Sequence, residues 1–188
     1  MKTEIKTKKL YYGFPVVLIG YKDSKWKYNV TTMSSSYSLG NTLTIGLASK
    51  SNAVANIKKY GEFTLNIPCQ EILNKVEMAG FHSGQNKIGM ADMTYDLGEK
   101  VDAPLLGIEC RVEHIVEHGD YTNFIATIER RVICDEMLNE DGSLNSIEFN
   151  PIYFMGDDKE RIYRYFNNDT KKLGENMGCR SEDDSICG

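Results

Sequence analysis

The chain has 188 residues and a formal net charge of −5; apolar residues make up 41% and charged residues 26%. That length suits one domain whose core needs no disulfide or metal staple, and the acidic balance argues against a nucleic-acid binder held by phosphate contacts. No run of about 18 apolar residues is present, so no membrane span is expected, and the charged start Met1-Lys2-Thr3-Glu4-Ile5-Lys6 lacks the apolar core of a secretory signal.

In chain order, Phe14-Pro15-Val16-Val17-Leu18-Ile19-Gly20-Tyr21 is an apolar run opened by proline and reads as a buried strand. The polar turn Lys22-Asp23-Ser24-Lys25 and a strand-like run over residues 26–30 predict a hairpin. Its far strand delivers Thr31-Thr32-Met33-Ser34-Ser35-Ser36, where hydroxyl side chains are interrupted only by Met33. The stretch lacks the Gly, Pro, Asn and Asp that would set turn geometry. Small hydroxyls beside free backbone N–H groups suit a polar, anionic or heterocyclic ligand lying along the strand. A Thr/Ser-rich strand exposed on one face is the plain alternative. Leu39-Gly40-Asn41 breaks the chain, and Thr42-Leu43-Thr44-Ile45-Gly46-Leu47-Ala48 alternates as a third strand.

Ser49-Lys50-Ser51-Asn52 then opens a helix over residues 53–60, with Ser51 or Asn52 as its N-cap and Gly61 just past its end. Unpaired N–H groups and the helix dipole attract a phosphate, and the lysine adds charge. An ordinary strand-to-helix junction with an exposed lysine has the same pattern. Residues 62–68 form an alternating strand closed by proline, and residues 71–79 a short helix. Gly80-Phe81-His82-Ser83-Gly84 reads as a glycine-bracketed loop, with His82 and Ser83 as candidate contacts for a second ligand. Residues 86–92 make another helical turn and residues 97–104 are irregular. Strands over 105–116 and 121–134 flank the turn Glu117-His118-Gly119-Asp120, and Pro151-Ile152-Tyr153-Phe154-Met155 is a last strand. The tail from Gly174 is polar and expected to be mobile.

The cysteines are Cys69, Cys110, Cys134, Cys179 and Cys187, an odd number without a CxxC pair, which reads as reduced thiols in a cytoplasmic protein. A tail disulfide or a redox role for Cys179 and Cys187 is the alternative. His114 and His118 point to one face of a strand-like run and have Glu113 and Glu117 beside them in sequence, but no third ligand has a recognised spacing, so no metal is assigned. Nucleophile-elbow, zinc-protease, phosphate-loop and dinucleotide motifs are absent from the sequence. No catalytic side chain is therefore assigned, and a bound cofactor is expected to carry the chemistry.

Four segments in this order resemble the flavin reductase-like group of FMN-binding split β-barrel proteins, its flavoredoxin branch in particular. They are Gly13-Phe14-Pro15-Val16-Val17-Leu18-Ile19; Asn29-Val30-Thr31-Thr32-Met33-Ser34-Ser35; Ser49-Lys50-Ser51 with Asn56-Ile57 and Phe63-Thr64-Leu65-Asn66; and Ala103-Pro104-Leu105-Leu106 with Glu109-Cys110-Arg111-Val112. The resemblance runs from about Tyr12 to about Gly178. It implies a mainly β (α+β) fold, a six-stranded Greek-key split barrel with peripheral helices, over residues 1–173 and followed by the tail at 174–188. It also implies a homodimer with FMN near the subunit interface. By the same resemblance Thr31, Thr32, Met33, Ser34 and Ser35 line the flavin ring and ribityl chain. Ser49, Lys50 and Ser51 hold its phosphate, Asn56 supports them, and the loop with His82 and Ser83 meets the second ligand. Reductases of the group carry Gly-Asp-His where this chain has Gly119-Asp120-Tyr121. Tyr121 keeps a flat ring but supplies no imidazole, which weakens the case for NAD(P)H more than the case for FMN. An FMN oxidoreductase fed by NAD(P)H or by a redox partner protein is the leading expectation. An electron carrier without nicotinamide activity and a ligand-binding module without flavin are the alternatives.

Overall fold

A computed structural model describes residues 2–93, 95, 96, 99–101, 104–167, 169–171 and 173. The tail at 174–188 with Cys179 and Cys187, and Ala103 with part of the segment 97–104, lie outside the described residues. In chain order the elements are β1 (Leu10–Pro15), β2 (Val17–Asp23), β3 (Lys27–Met33), β4 (Ser36–Leu39), β5 (Thr42–Ala48), α1 (Asn52–Tyr60), β6 (Glu62–Pro68), α2 (Leu73–Phe81), α3 (Lys87–Met90), β7 (Tyr95–Asp96), β8 (Glu99–Val101), β9 (Pro104–His118), β10 (Tyr121–Ile133), β11 (Tyr153–Asp157) and β12 (Arg161–Arg164). Among the described residues no helix is long and apolar enough to cross a membrane.

The main sheet has seven strands in the order β3-β2-β6-β9-β10-β5-β4, and every neighbouring pair is antiparallel. Its two edge strands, β3 and β4, are joined by Ser34 and Ser35 alone. A flat sheet of seven strands would hold its edges about 29 Å apart at about 4.8 Å per strand. The three peptide steps from Met33 to Ser36 reach at most about 11 Å. The sheet must therefore curl until its edges meet at one end, which makes it a barrel split between β3 and β4. This is the expected split barrel, one strand longer because the hydroxyl-rich stretch breaks into the end of β3, a linker and β4.

Strand alternation fills the barrel from β2 (Val17, Ile19, Tyr21), β5 (Leu43, Ile45, Leu47), β6 (Phe63, Leu65) and β10 (Phe124, Ala126, Ile128). Helix α1 adds Ala53, Val54 and Ile57 to the same core. The other face of β2 and β3 presents Val16, Leu18 and Val30 to Val76 and Ala79 of α2, to Ala91 and Met93, and to Ile152. The apolar run 14–21, expected as one strand, is two. Its chain leaves the small sheet β1-β11-β12 at Val16, whose N–H donates to Ile152 O at 2.8 Å, and enters the barrel as β2.

The hairpin β2–β3 is tied to α1 by one buried carboxylate. Asp23 accepts from the N–H groups of Lys25 (2.8 Å) and Trp26 (3.2 Å) and from the amides of Asn52 (2.7 Å) and Asn29 (3.3 Å). Burial pushes the Asp23 carboxyl up, but these hydrogen bonds outweigh it and hold the group below its ordinary range. At the other end of α1, Gly61 takes the left-handed conformation (φ 73°) and donates to Ile57 O at 2.9 Å, which closes the helix.

Candidate functional site

A pocket of about 690 Å³ opens where the barrel is split. One wall is the end of β3 and the linker, Thr31, Thr32, Met33, Ser34 and Ser35. Among the described residues no strand pairs with the outer edge of β3, so its backbone groups on that side face the opening. The floor comes from Gly46, Leu47 and Ala48 of β5 and from Ser51. Gly46 N–H donates to Ser35 O at 2.9 Å, which ties the linker to β5, and a Cβ on Gly46 would come within 2.9 Å of Asn123 Oδ1, so glycine leaves room for that side chain. The opposite wall is Val76, Glu77, Gly80 and Phe81 of α2. The rim is closed by Tyr11 and Val16 and by Phe154, Lys159, Arg161 and Tyr163 of the small sheet and its hairpin turn.

The hydroxyls expected to face a ligand divide in two. Thr32 Oγ1 donates to Val76 O at 2.6 Å, fastening α2 to β3, and Thr31 Oγ1 accepts from Lys87 Nζ at 3.2 Å. Both side chains are engaged by the protein, because successive strand residues point to opposite faces and each face here is covered by a helix. The pocket end of the stretch belongs to Met33, Ser34 and Ser35.

Lys87 is 7% exposed although it bears a charge in most contexts. Its N–H donates to Asn29 Oδ1 at 3.1 Å, and burial pulls its ammonium down to about 8. Across the pocket Tyr163 meets Glu77. Burial, then the Glu77 charge and the hydrogen bond to it, raise the Tyr163 phenol above its ordinary value.

The phosphate corner is narrower than its motif. Ser51 caps α1, accepting from Val54 N–H at 3.2 Å, and lines the pocket, so the first turn of the helix opens onto it. Ser49 is turned away: its hydroxyl pairs with Thr122 Oγ1 at 2.9 Å and its N–H donates to Asp120 O at 2.9 Å. Lys50 is exposed and is not among the lining residues. Asn56 is drawn off into another network, accepting from Ser24 N–H and Oγ and donating to Asn52 O and Oδ1.

Gly80 and Phe81, expected in a loop, belong to the last turn of α2. A Cβ on Gly80 would lie 3.3 Å from Thr32 Cβ, and this close approach lets the helix continue along β3. Phe81 lines the pocket while 80% exposed. His82 Nδ1 lies 3.1 Å from Met78 O, and neither His82 nor Ser83 lines the pocket. Tyr121 opens β10 opposite Ala48, 56% exposed and outside the lining. Sequence reasoning missed the whole rim, Tyr11, Phe154, Lys159, Arg161 and Tyr163. The adjacent aromatics Tyr153 and Phe154, with Tyr163 nine residues after Phe154, were the available signal.

Residues 10–163 match the family described as flavin reductase like domain. The chain belongs to this family. As a flavin reductase-like protein it is similar to the flavoredoxin of Desulfovibrio vulgaris (Miyazaki F), with a TM-score of 0.80 and 24% identity over 93% of this chain and 98% of that one. It is also similar to an FMN-binding protein from Thermus thermophilus, with a TM-score of 0.75 and 14% identity over 92% of this chain and all 100% of that one. Both likenesses describe the shared fold. An uncharacterized protein of Pyrococcus abyssi is 30% identical over 111 residues, 56% of this chain and 63% of that protein, so the flavin reductase-like chain spans less than two thirds of that relative.

Proposed function

We propose that the chain binds FMN in the split of the barrel and acts as an oxidoreductase of the flavin reductase or flavoredoxin type. One observation carries this reading: a single pocket joins an unpaired strand edge, a two-serine linker and the start of a capped helix. The donor set fits the cofactor. A planar heterocycle with polar edges suits backbone groups of β3 beside Met33 and Leu47, and a phosphate suits the unpaired N–H groups that open α1 behind Ser51. The pocket volume falls within the range of about 300–1,000 Å³ usual for small-molecule sites. When bound, FMN supplies electron-carrying chemistry that no side chain of the pocket has. The chain's own residues bind and orient. Ser34 and Ser35 offer hydroxyls, α2 covers one side, and Lys87 sits behind Thr31 as a buried amine. Similarity to a flavoredoxin and to an FMN-binding protein supports the choice of FMN.

A homodimer is part of the proposal. Tyr37 and Leu39 of β4, Val116 of β9 and Tyr121 of β10 are exposed apolar groups whose register puts them on one face of the main sheet, which supports a covered face. Light scattering giving twice the chain's 21.3 kDa would agree, and a monomer mass at micromolar concentration would refute it. The cytoplasm is the proposed location, in keeping with Cys69, Cys110 and Cys134, none of which is in a disulfide.

Titration with FMN tests the main reading: flavin fluorescence and absorbance are expected to change and saturate, and an unchanged spectrum refutes it. A carrier without nicotinamide activity is the second reading, favoured by Tyr121 in place of histidine and its position outside the pocket lining. Steady-state oxidation of NAD(P)H by the FMN-loaded protein separates the two.

A further inference from the structure

The pocket has two positive features on separate elements, and FMN has one phosphate. The first is the start of α1 behind Ser51. The second is the β11–β12 hairpin, which brings Lys159 and Arg161 to the pocket rim. This hairpin is built to leave its cations free. Asp157 Oδ1 accepts from the N–H groups of Lys159 (2.7 Å) and Glu160 (3.3 Å), and Asp158 Oδ2 accepts from Lys8 N–H (2.6 Å) and Thr7 Oγ1 (2.9 Å). Both turn carboxylates thus hold main chain. Among the described residues neither Lys159 nor Arg161 pairs with an acid. Gly156 makes the turn possible. It adopts φ +126°, and a Cβ there would lie 2.1 Å from Glu160 O. Beside the cations stand aromatic rings in mutual contact, Tyr11 against Phe154 at 4.8 Å and Phe154 against Tyr163 at 5.9 Å. The Glu77 carboxylate is the one negative group among the lining residues, and it is engaged by Tyr163.

We propose that this hairpin is a second anion subsite, in which Lys159 and Arg161 hold the carboxylate or phosphate of a planar aromatic co-substrate whose ring lies against Tyr11 and Phe154. The subsite rests on the FMN reading, since it serves the cofactor's redox partner. An unpaired cation pair beside aromatic faces recognises a flat anion by charge and by stacking. An uncharged ring of the same shape gains only the second. Arg161, with its planar fork, suits an oxygen pair, and Lys159 adds a point charge.

The FMN-loaded protein, titrated with benzoate and with benzamide and followed by flavin absorbance, is expected to bind benzoate about tenfold more tightly at low salt. The preference should shrink at high salt. In Lys159→Gln/Arg161→Gln it falls to within about twofold, in Lys159→Arg/Arg161→Lys it largely returns, and affinities for FMN and riboflavin both stay close to those of the parent. Equal binding of the two probes to the parent, or a benzoate preference that survives the double variant, overturns the subsite. So does a loss of FMN without a loss of riboflavin, which assigns the cations to the cofactor's phosphate. Should the double variant fail to fold, Lys159→Gln alone, at the exposed turn, carries the same comparison. A parent that takes up no FMN refutes the flavin reading instead.

Discussion

Replacing Lys87 with Met is expected to make the ligand-free protein more stable at neutral pH, and by an amount that depends on pH. Lys87 Nζ has a hydrogen bond to Thr31 Oγ1 at 3.2 Å, and burial lowers its ammonium from the ordinary 10.5 to about 8. The gap, at about 1.36 kcal/mol for each tenfold change in proton affinity, amounts to roughly 3 kcal/mol. The sign follows from proton counting. Between the two values the unfolded chain binds the proton and the folded chain does not, so Lys87 makes stability rise with pH across this window. Below pH 8 both states are charged and the folded state bears the whole burial penalty. At pH 9.5 about 2 kcal/mol of it is relieved. Met removes the charge and also the bond to Thr31, worth about 1 kcal/mol. The variant should therefore exceed the parent by about 2 kcal/mol at pH 7, and by about 2 kcal/mol less, close to equal stability, at pH 9.5. Urea unfolding of both proteins at the two pH values reads the difference. Subtracting the variant removes the opposite slope of Tyr21, whose phenol burial raises to about 12. A gap that does not change with pH, or a variant weaker than the parent at pH 7, would refute the assignment of Lys87 as a buried strained charge.

Lys50→Ala should weaken FMN by no more than about fivefold, the scale of an exposed charge, rather than the ten- to hundredfold that its place in the motif suggests; titration of FMN and riboflavin decides. Ser51→Ala should weaken FMN more than riboflavin and lower stability by about 1 kcal/mol through loss of the N-cap, read by titration and by denaturant unfolding. Thr32→Val should lower stability by about 1–3 kcal/mol, because Val76 O loses its 2.6 Å donor, while FMN affinity changes little, since that hydroxyl is already engaged. Gly156→Ala should lower the melting temperature by several degrees, since the new Cβ meets Glu160 O at a conformation L residues avoid; an unchanged melting curve would show that the turn can open without cost.

Much of the barrel is legible in the sequence because its signals are local. The Asp23 turn fixes a hairpin, alternation over residues 62–68 marks β6, Ser51 and Gly61 bracket α1, and Gly119 marks the turn between β9 and β10. What was not legible depends on residues far apart in the chain. β1 pairs with β11, Leu10 opposite Asp157, and no local pattern announces a partner at such separation. The segment Arg161-Ile162-Tyr163-Arg164 is too short and too charged to stand out as a strand. The hydroxyl run pointed to the right wall of the pocket, but composition does not say which hydroxyls are engaged. Strand alternation sends Thr31 and Thr32 to opposite faces, each with its own protein partner. Likewise Lys50 and Ser51 are equal candidates in a motif, and only the geometry of the helix start turns one to solvent and the other to the pocket.

The composition of the pocket wall has a consequence for biosynthesis. Its lining begins at Tyr11 and ends at Tyr163, so about 150 residues separate the first contributor from the last. At about 5–20 residues per second, a ribosome takes roughly 8–30 s to make that span. During this time the early strands can pair with one another, but the rim that holds Lys159 and Arg161 does not yet exist. Any small molecule that needs the complete pocket would thus have to wait until the final hairpin has been made, and a chain cut short before that hairpin would lack the rim of Lys159 and Arg161.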